Sequence, residues 1–170
     1  SKDPIAAMVK SAVQHGDFEH KAGSTLTLYA QTGVKTRHLV VVSVADVSPA
    51  QVRSALNAAW SVLKSIKIKR LGVHAAFNMS AKTLQVAAST LADASYSYTS
   101  TLSQPKPRTL KSVVFSTPWV HAEQRAAVAH AQALVSGIEV AKEWANRPAN
   151  HATPSMLADA AKSIAKGASF

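Results

Sequence analysis

The chain contains no cysteine. That absence excludes disulfides, thiolate nucleophiles and cysteine-built zinc sites together. It also fits a reducing compartment. Acids are scarce: nine Asp and Glu stand against 19 Lys and Arg, for a formal net charge of +10. A binuclear metal centre needs several converging carboxylates, and the acids here are scattered along the chain. Glycines number only six, and they form neither G-x-G-x-x-G nor G-x-x-x-x-G-K. A phosphate cradle built on backbone N–H groups exposed by such glycines is therefore disfavoured. The G-x-S-x-G elbow of serine hydrolases is missing too. No run reaches the roughly 18 apolar residues of a membrane span. The opening Ser1-Lys2-Asp3-Pro4 lacks the apolar core of a secretory signal.

What is present is the length of one domain, 170 residues, with 47% apolar composition. Much of the apolar content is alanine, and aromatics reach only 6%. Close-packed helices around a modest core are expected.

Residues 5–15 are apolar without a decisive period, so helix and strand stay open there. Gly16 and Gly23 bracket a polar loop, and residues 24–30 alternate as a half-buried strand. Gly33 turns the chain into 38–44, a β-branched run suited to a central strand covered on both faces. Ser48-Pro49-Ala50-Gln51 opens a helix as cap, first-turn proline and capping-box glutamine. Its stripe is Val52, Leu56, Ala59 and Leu63, thickened by Trp60. Residues 66–76 alternate as a strand in which Gly72 marks a bulge or close approach.

Ser80 opens a second helix with Leu84, Ala87, Ala88, Leu91 and Ala94 inward. Residues 110–116 form another strand. A long helix runs from about 121 to 145 with an inward small-residue stripe of Ala126, Ala129, Ala133, Gly137, Val140, Ala141 and Trp144. A glycine inside a helix costs about 1 kcal/mol, which a close helix crossing would offset. A bulky residue at Gly137 is then expected to destabilise the fold. Thr153-Pro154 starts a last helix with Met156, Leu157, Ala160, Ala161 and Ile164 inward. The order of strands and helices implies an α/β fold with a mixed, mostly parallel sheet and helices on both faces.

Candidates for chemistry are few. The seven histidines make no metal-ligand spacing, and His121 and His130 lie too far apart for one ion. His74 ends a strand, where α/β enzymes keep functional groups, yet a solvated histidine is the plainer reading. Glu139 and Glu143 share a helix face with Lys142 and Arg147 nearby, the pattern of a solvated ion-paired surface. Two basic clusters stand out: Lys64, Lys67, Lys69 and Arg70, then Lys106, Arg108 and Lys111. They raise a nucleic-acid-binding α/β module as an alternative function. No aromatic stacking platform accompanies them.

The closing segment Glu143-Trp144-Ala145-Asn146-Arg147-Pro148-Ala149-Asn150-His151-Ala152-Thr153-Pro154-Ser155-Met156-Leu157-Ala158 carries more information. Its Asn146, Pro148, Asn150, Thr153-Pro154 and Leu157-Ala158 resemble the interdomain linker N-x-P-x-N-x-x-T-P-x-x-L-A of the leucyl aminopeptidases, the M17 cytosol aminopeptidases. Tyr96-Ser97-Tyr98 is similar to the family's G-x-Y-x-F, with Ala94 in place of the glycine and Tyr98 in place of the phenylalanine. The 38–44 strand matches a family strand in position but lacks its glycines. The resemblance covers most of the chain in element order and is specific over about the last 45 residues.

That resemblance implies a three-layer α/β/α sandwich similar to macro domains over residues 1–145. Residues 146–170 are then the interdomain linker and connecting helix, with Asn146, Arg147, Pro148, Asn150, Thr153 and Pro154 in the linker. The catalytic C-terminal domain is absent. Two divalent ions (zinc, manganese or magnesium) and the catalytic residues would belong to that domain, so no catalytic or metal-binding residue and no cofactor is assigned to this chain. The implied partners are the chain's own catalytic domain and a cytoplasmic homohexamer, with no membrane. A macro-like domain reading ADP-ribose is a third hypothesis, against which the missing glycine-rich loops count.

Overall fold

The computed structural model describes residues 4–29 and 35–167. The turn expected at Gly33 lies outside them. The residues left open between helix and strand form helix α1, Pro4–Gln14, which buries Ala12. Gly16 and Gly23 both take left-handed φ, near +80° and +85°. That conformation costs glycine nothing, which is why the polar loop sits between them.

Strand β1, Thr25–Tyr29, pairs antiparallel with β2, His38–Val42, in a register that sets Leu26 opposite Val41 and Leu28 opposite Leu39. The β-branched run of β2 suggests cover on both faces. Instead every position of β2 is half-buried, and among the described residues its ladder partner is β1.

Helix α2, Pro49–Leu63, takes the expected cap and first-turn proline, but the capping-box role expected of Gln51 falls to Asp46. The Ser48 hydroxyl accepts from the Gln51 N–H at 3.4 Å. The Ser48 N–H donates to Asp46 Oδ1 at 2.8 Å. Hydrogen bonding from Ser48 holds the Asp46 carboxyl below its ordinary range. Strand β3, Arg70–His74, follows, then α3, Ala81–Ser95, capped by the Ser80 hydroxyl on Thr83 N–H at 3.1 Å. Strand β4, Ser112–Ser116, lies parallel to β3, so α3 is the crossover that a parallel pair requires. The long helix α4 is Ala122–Ala145, and α5 is Pro154–Gly167.

Helix α3 packs against both α2 and α4. The core lies between α2, α3 and one face of the β3–β4 pair. Val52, Leu56, Ala87 and Leu91 meet Leu71, Val73, Val113 and Phe115 there. A second cluster, Ala75, Met79 and Leu84, receives Val128 from α4. The other face of β3–β4 carries Gly72, His74, Val114 and Ser116, all exposed. The period-two pattern of both strands follows from that one-sided burial.

Several sequence expectations change. Residues 66–69 are not strand: Ile66 N–H bonds Leu63 C=O and Ile68 N–H bonds Ile66 C=O, a turn that completes the exit from α2. Gly72 pairs regularly with Val114, and a Cβ there would meet nothing within 4 Å. It marks neither a bulge nor a close approach. The inward stripe of α4 is also corrected. Ala126, Ala129, Ala133, Gly137, Val140 and Ala141 are exposed, while Gln124 and Ala131 are the buried residues. Gly137 faces open space, with nothing within 4 Å of a built Cβ, so no close crossing offsets its cost. The stripe of α5 is likewise not inward, since α5 buries no residue at all.

Candidate functional site

Two features bear on function: the junction between α4 and α5, and a basic end of the β3–β4 pair. At the junction α4 stops at Asn146, whose backbone N–H donates to Lys142 C=O at 3.0 Å. Its side-chain amide donates to the same carbonyl at 2.7 Å. Arg147 turns back onto the helix. Its guanidinium bonds Glu143 Oε1 at 3.2 Å and lies 4.0 Å from the centre of the Trp144 ring. Stacking and ion pairing together fix it to α4.

Pro148 is extended, at φ −61° and ψ 154°, and ends the helical path. A short 3-10 turn, Ala149–His151, includes Asn150, which is exposed. Thr153 then caps α5, its hydroxyl accepting from Met156 N–H at 3.4 Å, and Pro154 takes the first helical position. Asn146, Pro148, Thr153 and Pro154 thus shape the local backbone, Arg147 folds its side chain back onto α4, and Asn150 is exposed in the turn.

Just before the junction, α3 and α4 are tied by ion pairs. Lys142 pairs with Asp93 and sits 5.0 Å over the Tyr96 ring. Burial, and after it the charge of Glu143, pushes the Tyr96 phenol above its ordinary value. Arg108 pairs with Glu139 and donates to Ser95 C=O at 3.0 Å and Ala92 C=O at 3.1 Å. A groove of about 280 Å³ opens between α2, α3 and α4. Its Asp93, Glu139 and Lys142 are spent in these pairs.

Arg108 therefore leaves the candidate set of free cations. It satisfies the last carbonyls of α3, which would otherwise be orphaned. Lys69, Arg70 and Lys111 do come together: Lys111 N–H donates to Lys69 C=O at 2.8 Å, and Arg70 registers with Ser112. Lys64, at the end of α2, and Lys67 lie on the connection into the same end of β3. All five are exposed, and the chain has no acid between Asp46 and Asp93 or between Asp93 and Glu123. Lys106 is exposed on the loop before β4, and nothing in the structure links it to the other five.

The C-terminal end of β3–β4, where an α/β site is usually sought, is occupied by structural groups. His74 Nδ1 lies 3.2 Å from Ser116 Oγ. The Thr117 hydroxyl donates to Phe77 C=O at 3.0 Å and accepts from Met79 N–H at 3.3 Å. Gln124, which the sequence reading missed, is 2% exposed and donates to Met79 C=O at 2.9 Å. Its carbonyl accepts from His121 N–H. The signal that could have found it was His121-x-x-Gln124, the spacing of a capping box with histidine at the cap. Among the described residues no three of His, Asp and Glu converge as a metal site would require. The donors among the described residues do not fit a metal pair.

The profile of the cytosol aminopeptidase family, N-terminal domain, matches residues 2–105. A probable cytosol aminopeptidase of Polaromonas sp. is 41% identical over 166 residues, which cover 96% of this chain and 32% of that protein. Another, from Albidiferax ferrireducens, is 39% identical over 165 residues, covering 97% of this chain and 34% of that protein. Among solved structures, a mutant of tomato leucine aminopeptidase superposes with a TM-score of 0.75 at 23% identity, over 96% of this chain and 33% of that one. The bottromycin maturation enzyme BotP in complex with Mn gives 0.70 at 21% identity, over 92% and 33%. At those identities the superpositions speak for the fold. The chain spans about a third of the length of the curated relatives it matches.

Proposed function

The chain belongs to the cytosol aminopeptidase family, as its N-terminal domain, and from that premise we propose that it is a non-catalytic assembly or regulatory part of a metal-dependent leucyl aminopeptidase. The observation that carries the reading is the pairing of two facts. Relatives more than 35% identical align along nearly all of this chain, and the alignment takes up only 32–34% of their length. In this reading residues 1–145 are the N-terminal domain and 146–170 the linker and connecting helix. The other two-thirds of the polypeptide holds two divalent ions, zinc, manganese or magnesium, and removes N-terminal residues from peptides. The assembly is a cytoplasmic homohexamer.

The test compares two polypeptides loaded with the same divalent ions. The full-length protein is expected to release the chromophore from a leucine-anilide substrate, and residues 1–170 alone to release none. Turnover by the short chain, or silence of the full-length protein with every one of the three metals, would overturn the proposal.

A second reading has one observation in its favour, the convergence of Lys64, Lys67, Lys69, Arg70 and Lys111 without an intervening acid. Such an edge suits a polyanion such as duplex DNA. If all five contact phosphates, affinity should fall roughly 500-fold between 50 and 200 mM salt. A filter-binding titration with no retention at the lower salt would end this reading.

A further inference from the structure

The long helix α4 is held to the body in two different ways. Its first half is anchored in the core: Gln124 and Ala131 are buried, and Val128 packs against the cluster of Ala75, Met79 and Leu84. From residue 132 to residue 145 no side chain is buried. Leu134, Ile138 and Val140 are exposed there, and Val135 lines the groove between α2, α3 and α4 instead of a core. What ties this half to α3 is charge. Glu139 pairs with Arg108, which the last carbonyls of α3 hold in place. Lys142 pairs with Asp93 and lies over the Tyr96 ring.

The two halves meet at Ser136-Gly137. Paired glycine and serine are a common place for a helix to bend. The Ser136 hydroxyl bonds back to Gln132 C=O at 3.0 Å, a bond that weakens and bends helices. Gly137 lowers the local helix stability further, and nothing lies within 4 Å of a Cβ built there. Both ion pairs lie beyond this point, and so does the junction. Arg147 is fixed to Glu143 and Trp144, so the chain up to Pro148 moves with the end of α4.

We infer that residues 138–145 form a strap, hinged at Ser136-Gly137 and latched to α3 by the pairs Arg108–Glu139 and Lys142–Asp93, which lifts off while the α/β body stays folded. All four charged side chains are partly solvated. Pairs of this kind contribute little each and are screened by salt. A latch made of two of them opens far more often than the core around Leu91 does. Its response to salt also has the opposite sign to that of the basic end of β3–β4, where screening relieves repulsion between like charges. The junction shifts with the strap, so ionic strength sets where α5 stands relative to the body.

Amide hydrogen exchange tests this, because so short a helical end frays once it leaves α3. The amides of α3 and of residues 126–131 report whether the body stays folded. From about 50 to about 500 mM salt, the amides of 138–145 should exchange at least about threefold faster, and the body amides no faster. Asp93→Asn with Glu139→Gln should make 138–145 fast already at the lower salt and abolish the salt response. Gly137→Ala, which stiffens the hinge, should slow 138–145 about fivefold. The inference falls if 138–145 ignores salt, or if 126–131 follows it. It falls as well if the double variant frees the α3 amides, since the two acids would then hold the body and not a strap. An unchanged rate in Gly137→Ala would overturn the hinge and the strap with it.

Discussion

Gln124→Ala is expected to destabilise the fold by about 3 kcal/mol, from two buried backbone groups left without partners and a small void. The amide of Gln124 is nearly sealed from solvent and serves two masters. Its NH2 satisfies Met79 C=O, in the loop that leads into α3, and its carbonyl satisfies His121 N–H at the start of α4. Removing it strands both and unpins one end of α4. For a chain of this length the melting temperature should fall by roughly 6–12 °C. Gln124→Glu separates hydrogen bonding from volume. A carboxylate keeps the acceptor, loses the donor and faces the Met79 carbonyl. Burial would raise its folded pKa above the unfolded value of about 4.3, so its penalty should be small in acid and grow as pH rises through that window. A Gln124→Ala protein that melts with the parent would show that the amide is dispensable.

Leu91→Ala should cost about 3 kcal/mol through cavity formation. Leu91 is 2% exposed and packs in the cluster of Val52, Leu56 and Ala87 over the inner face of β3–β4. Chemical denaturation should report the loss as a lower midpoint at unchanged slope. The opposite face of the same sheet provides the comparison. Val114→Ala should shift stability by no more than about 0.5 kcal/mol, because that side chain is exposed. Equal losses at the two positions would mean that the sheet is covered on both sides in solution.

Much of the fold was legible because its signals are local. Ser48, Ser80 and Thr153 cap the helices they precede, the alternating runs became β1 and β3, and the strand read at 110–116 became β4. What could not be read is how α4 packs. Hydrophobic pattern assigns an alanine and glycine stripe to the core, yet the face turned to α3 carries Gln124, Val128, Ala131, Glu139 and Lys142. Its polar members are satisfied by partners distant in sequence: Met79, Arg108 and Asp93. Long-range pairing of this kind leaves no period in the chain. The same blindness made Arg108 look like a free cation, when Ser95, Ala92 and Glu139 hold it. The break between α4 and α5, by contrast, was legible, since Pro148 and the capping Thr153 act on their own neighbours, whereas the stacking of Arg147 on Trp144 was not read.

The basic end of β3–β4 carries a further consequence. The hydrogen bond from Lys111 N–H to Lys69 C=O holds like charges closer together than the unfolded chain would. The fold therefore stores a local repulsion at that edge. Ions shorten the reach of that repulsion to about 8 Å at physiological strength. Added salt should thus act with opposite signs on the same five side chains, relaxing the folded edge while weakening its hold on any polyanion. Neutralising these cations is therefore expected to raise, not lower, the stability of the strand pair beneath.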